Sequence, residues 1–200
     1  MSEAGRGAGG GSGADPEIRA LAERWPRALI ELGLAGPLAA RWTASRRAAM
    51  AGGRPALARH PLTPALAAVL FEARRSRRLV RGLEAAEEAL EAQRRGVRSA
   101  RSAAGEAPGS TPQRISRLLV VSEDGANRFY RNIDGLVRKY GAMLEVLVIA
   151  CDEEALGAAA FGSGQRARAL LIEHKEAVIR VLEALDQLEG AGEAKRPGPG

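Results

Sequence analysis

The segment R-L-L-V-V-S-E-D-G at 117–125 runs into A-N-R-F-Y-R-N-I-D-G-L-V-R-K-Y-G at 126–141 and then V-L-V-I-A at 146–150. Its reading decides the fold class. The apolar run within Ile115–Val121 does not alternate with polar residues, which is the pattern of a strand covered on both faces. Phe129, Ile133, Leu136, Val137 and Tyr140 then recur at helical spacing, with Gly141 as a C-terminal stop. Val146–Ala150 is a second continuous apolar run. A helix between two doubly covered strands calls for a sheet with helices on both sides.

The same alternation continues in both directions. Downstream, Asp152 is placed to cap a short helix that ends at Gly162, Ala169–Ile172 reads as a strand, and Lys175–Leu188 is amphipathic. Upstream, Thr63-Pro64 opens a helix with Leu66, Val69, Leu70 and Ala73 on one face. A short strand follows at Arg77–Val80, then a helix from Leu83 to about Arg95. Asp124 reads as a second N-cap. The expectation is a three-layer α/β/α sandwich around a small, mixed, four-stranded sheet. Residues 61–189 form this domain, interrupted by a flexible basic insert at 96–114.

Residues 15–60 read as a helical extension. It starts at Asp15-Pro16, restarts or kinks at Pro26, and continues from Pro37 to about Met50. Both tryptophans, Trp25 and Trp42, lie in it as anchors or as a docking element for a protein partner. The Gly-rich ends, 1–14 and 190–200, read as disordered tails.

Composition excludes several chemistries. One cysteine, Cys151, allows no internal disulfide and no cysteine-based zinc site, and two histidines, His60 and His174, are too scattered for metal ligation. No apolar run reaches the roughly 18 residues of a membrane span, so a cytoplasmic protein with no membrane partner is the default. No motif asks for a cofactor, a metal or an obligate small molecule, and no catalytic set emerges. Glu123-Asp124 and Asp152-Glu153-Glu154 follow strands and could hold Mg²⁺ only if they share a cleft; as first-turn acids they need no such role.

The net charge of +6 is concentrated. Five arginines fall within 74–81, and six against one glutamate fall within 94–117. Such clusters attract phosphate backbones. The chain has three lysines and twenty-seven arginines, so arginine abundance reflects composition and only its placement is informative. Arg77, Arg78 and Arg81 lead into Gly82, Leu83 and Glu84 at a helix start, where open amides and the helix dipole favour an anion. Ser163, Gly164, Gln165 and Arg166 form a polar turn.

Three stretches in register, A-R-R-S-R-R-L-V-R-G-L-E-A-A-E-E-A-L at 73–90, R-L-L-V-V-S-E-D-G-A at 117–126 and D-E-E-A-L-G at 152–157, resemble the kink-turn RNA-binding ribosomal-protein superfamily. This is the L-seven-Ae and L-thirty-e type, and the bacterial YlxQ-type members are nearest. The resemblance covers about 62–188. It implies an RNA-binding site at Arg77, Arg78, Arg81, Gly82, Leu83 and Glu84, flanked by Ser163, Gly164, Gln165 and Arg166. Arg77 stands where a glycine is usual, and Glu84, Ala85 and Glu88 stand where archaeal members carry Asn, Glu and Lys.

The expected function is non-catalytic binding of structured RNA, ribosome- or translation-associated. With two Tyr, three Phe and two Trp, contacts to shape and phosphate are expected in place of base stacking. The alternative is a protein-interaction module on the same fold.

Overall fold

The computed structural model describes residues 15–51, 55–105 and 114–186. The expected tails at 1–14 and 190–200, and 106–113 of the expected insert, lie outside the described residues. The elements are α1 (Pro16–Arg24), α2 (Arg27–Glu31), α3 (Ala35–Ala51), β1 (Ala58–His60), α4 (Pro64–Arg75), β2 (Leu79–Arg81), α5 (Leu83–Ala103), β3 (Arg117–Ser122), α6 (Asn127–Tyr140), β4 (Leu144–Ile149), α7 (Glu153–Phe161), β5 (Ala169–Ile172) and α8 (Lys175–Asp186).

The sheet has order β1-β4-β3-β5-β2. β3 is parallel to β4 and β4 to β1, whereas β5 runs antiparallel to both β3 and β2. The sandwich is therefore α/β with a mixed sheet, but of five strands, not four. The fifth, β1, falls at Ala58–His60, inside the stretch read as helical extension. Three residues are too few for a period to show, and pairing with β4 is what makes them a strand.

Strand alternation sorts the core into two layers. Leu118, Val120, Leu147, Ile149, Leu170 and Ile172 face α4, α7 and α8, while Leu119, Val121, Val146, Val148, Ala169 and Leu171 face α5 and α6. Every residue of β4 and β5 is buried, which accounts for their continuous apolar runs.

Helix starts follow side-chain chemistry. Asp15 accepts from the Glu17 amide, Thr63 from Leu66 and Asp152 from Ala155. Asp124 does not cap α6, whose N-cap is Ala126. Its carboxylate instead accepts from the Ser122 hydroxyl (2.6 Å) and from the Glu153 amide (3.2 Å). Burial pushes its pKa up, but these two bonds and Arg168 hold it below the usual carboxylate value.

Two further expectations change. Helix α5 runs on through Ala103, so the first part of the insert is helical. Gln, Arg and Ala around Gly96 are good helix formers and outweigh its cost of about 1 kcal/mol. The tryptophans are interior: Trp25 is fully buried and Trp42 nearly so, packed edge to face at 5.3 Å, in the same core layer as α4 and α8.

Glu145 ties these N-terminal helices to the sheet. It is a carboxylate inside an all-buried strand, 5% exposed, ion-paired to Arg46 of α3 and to Arg24 of α1 (3.3 Å). Burial pushes its pKa up while the two guanidiniums pull it back. Arg24 also donates to the Gly141 carbonyl, and Arg114 donates to the Glu23 and Trp25 carbonyls.

Candidate functional site

Because β1, β3 and β4 are parallel and β2 is twice reversed, their C-terminal ends gather at one end of the sheet with the start of β5. Arg81 pairs with Leu170, Val121 with Ala169, and Ser122 and His60 with Ile149. The α5 N-terminus and the 162–168 loop therefore emerge side by side.

Gly82 makes the turn from β2 into α5 at φ +95°, a region that strains any residue with a Cβ. Its amide bonds to the Ala169 carbonyl, and its carbonyl accepts from Ala86. No side chain caps α5, so among the described residues the Leu83, Glu84 and Ala85 amides have no acceptor. Arg81, exposed, donates to the Gln165 side-chain oxygen at 3.1 Å. Its guanidinium lies 5.2 Å from the Phe161 ring centre, and that of Arg74 lies 5.9 Å away. Two arginines thus stack on one half-buried aromatic beside open amides.

The loop is held against α7. The Ala167 amide donates to Glu153 at 2.7 Å, and a Cβ added at Gly157 would lie 2.6 Å from the Arg166 backbone. Gly157 is therefore a close-approach glycine. Arg166 is 67% exposed and 3.8 Å from both Glu153 and Glu154; Arg168 pairs with Glu153 at 2.7 Å. Ser163 and Gly164 are exposed at the loop tip.

The residues singled out in the sequence divide. Arg81, Gly82, Leu83, Gln165 and Arg166 share this surface. Arg77 and Arg78 precede β2 at its other end, with Arg78 about 10 Å from Arg81 at about 3.3 Å per residue. Arg78 pairs with Glu176 at 2.9 Å; Arg77 is exposed with φ 56°. Glu84 lines a groove between α5 and α6 of about 670 Å³, with Leu83, Glu87, Arg128 and Arg131. The arginines of 94–117 do not join the surface, because α5 carries Arg94–Arg101 away from it and Arg114 binds α1.

The acidic strand ends do share the site's end of the sheet, but each carboxylate has a structural partner. Asp152 caps α7, Glu123 pairs with Arg59, and Glu153 pairs with Arg168. Among the described residues no group of three or more His, Cys, Asp or Glu side chains converges to hold a metal ion. Burial, with Asp152, Asp124 and Glu123 nearby, pushes the Cys151 thiol up to about 11, so it is un-ionised at neutral pH.

Sequence reading missed Phe161, Gly157 and Glu145. Glu145 had a signal: a lone carboxylate in L-E-V-L-V-I must find a counter-charge once buried.

No protein-family model and no curated protein matches the chain. Among solved structures, a protein of unknown function from Bacillus halodurans matches with TM-score 0.41 and 16% identity over 62% of this chain and 100% of its own. The Giardia lamblia 15.5kD RNA binding protein matches with TM-score 0.38 and 18% identity over 63% of this chain and 86% of its own. At these identities and scores neither likeness assigns a residue role.

Proposed function

We propose that the protein binds the phosphate backbone of structured RNA at the end of the sheet where α5 begins, without catalysing a reaction on it. The observation that carries this reading is the Arg81–Gln165 contact over Phe161. It joins two segments 84 residues apart in sequence into one surface of exposed arginine and open helix amides. Guanidinium forks and amides at a helix start suit phosphate oxygens by charge and geometry. The resemblance of 73–90, 117–126 and 152–157 to kink-turn binders makes RNA the polyanion of choice, with ribosomal RNA as the first target class. Glu84 and Glu88 in place of Asn and Lys remove groups that would read a kinked base pair, which leaves Arg81, Arg166 and the α5 amides as the proposed backbone contacts.

Titration with ribosomal RNA across a salt series tests it. Affinity should fall as salt rises, and the Arg81→Glu/Arg166→Glu variant should bind more weakly with a shallower salt slope. Affinity that is indifferent to salt and to both changes would sink the reading. The tryptophans are interior, so docking of a protein partner through them has no structural support.

A further inference from the structure

The interior around Glu145 holds more hydrogen-bond donors than acceptors. Its carboxylate already accepts from Arg24 at one oxygen and from Arg46 at the other. Among the described residues, five buried side-chain nitrogen or oxygen atoms have no hydrogen-bond partner, and four of them belong to this region. They are the indole nitrogens of Trp25 and Trp42, the Thr43 hydroxyl and the Arg46 Nε. The fifth, Arg94 Nε, lies by the Tyr140 ring in the other core layer. Trp25, Thr43 and Trp42 are 0%, 1% and 4% exposed, so bulk water does not serve them.

Their positions in the fold bring them together. Trp25 follows Arg24, and its ring meets Trp42 edge to face at 5.3 Å. Thr43 is the next residue, and Arg46 lies one turn further along α3. Burial raises the Glu145 pKa, and the Trp42 indole is among the groups that lower it, yet the indole N–H makes no hydrogen bond to the carboxylate. Polar groups that interact across such a gap are the ones a bridging water completes. Room lies alongside: a cavity of about 430 Å³ between α3, β1 and α8 is lined by Trp42 and Leu147. Leu147 is two residues from Glu145 on the same face of β4.

We infer that Glu145 anchors an internal hydration site, in which ordered water accepts from the two indoles and from Arg46 Nε and donates to the carboxylate. The inference does not depend on the RNA reading. The chemistry of the donors selects the occupant. An indole N–H and a guanidinium N–H can only donate, so the occupant must accept. A chloride ion would do so, but it would stand against the Glu145 charge. Water accepts and donates at once. Three donor-only groups exceed the two acceptor positions of one molecule, so about two waters fill the site, with the Thr43 hydroxyl able to join them. The contact between the N-terminal helices and the sheet is then partly wet, a tryptophan core beside a bridge of bound water.

Nuclear magnetic resonance of the full chain tests it. Oxygen-17 relaxation dispersion counts long-lived internal waters, and cross-relaxation from water to the assigned indole Hε1 protons of Trp25 and Trp42 places them. Both indoles should show cross-peaks with the sign of a bound water. Thr43→Val, which removes the hydroxyl and keeps the branched shape, should lower the dispersion amplitude by about one water and weaken the Trp42 cross-peak. Should that variant not fold by circular dichroism, the wild-type cross-peaks decide alone. A Trp42 indole that sees no water sinks the inference, whatever Trp25 shows. It fails too if Thr43→Val keeps the full amplitude and melts higher than the wild type, since the hydroxyl is then simply unpaired. Indole shifts that follow chloride when it replaces fluoride at constant ionic strength, without a water cross-peak, would make the occupant an anion and overturn it.

Discussion

Two groups of arginines in this molecule differ in what they face. Arg24 and Arg46 converge on Glu145 beneath the N-terminal helices, where the carboxylate is 5% exposed. Arg74 and Arg81 lie over Phe161 at the strand ends, with Gln165 as the only side-chain hydrogen-bond partner of Arg81 among the described residues. The first group is internal architecture and the second is surface available to a ligand. In a chain with twenty-seven arginines, number and local density separate neither kind. The nearest carboxylate does.

The largest effect should come from breaking the internal group. Glu145→Ala leaves two partly buried guanidiniums without their counter-charge and should cost about 3–5 kcal/mol in chemical denaturation. Glu145→Leu combined with Arg46→Met should recover much of that loss, because apolar packing often replaces a buried ion pair at little net cost. If Glu145→Ala melts like the wild type, the N-terminal helices are held by the tryptophan core alone.

Gly157→Ala comes next. Its new Cβ meets the Arg166 backbone, so α7 and the loop must separate, at about 1–3 kcal/mol. RNA affinity should fall with it, since the loop carries Gln165 and Arg166. A destabilised variant with intact affinity would mean that loop position does not matter for binding.

Among the external arginines, Arg81→Ala should leave thermal stability nearly unchanged. It should lower the slope of log affinity against log salt by about 1, the signature of one lost phosphate contact. Arg78→Ala should leave that slope alone, because Arg78 faces Glu176.

The smallest effect is a pH dependence. A hydrogen bond from Tyr140, with Arg94 and Lys139, holds the Glu91 carboxyl down to about 2. Its folded value is below its unfolded one, so its contribution is complete above about 4.5 and is lost as pH falls toward 2. Melting temperature should therefore drop over that window less steeply in Glu91→Gln than in the wild type.

The sequence was most readable where one element decided its own state. The Phe129–Tyr140 stripe, the L-L-V-V and V-L-V-I runs, and the caps at Asp15, Thr63 and Asp152 each carry their signal within a few residues. β1 was unreadable because three residues become a strand only by pairing with β4. Asp124 misled because its hydrogen-bond partner, Glu153, follows another strand. At the site, the sequence marked 81–84 and 163–166, but only folding could show that Arg77 and Arg78 fall away from them. Phe161 carried no mark, since its ring matters through Arg74 and Arg81, which are distant in sequence.

One detail of the sheet edge has a consequence for how the protein behaves in concentrated solution. The Ser45 hydroxyl of α3 accepts from the Arg59 amide and donates to the Arg59 carbonyl, both at 2.8 Å. These are the backbone groups that β1 would otherwise offer to a strand from another chain. A single alcohol group thus closes the margin against self-templating growth. Ser45→Ala would leave the Arg59 amide and carbonyl without that partner, and light scattering from the concentrated variant should then exceed that of the wild type.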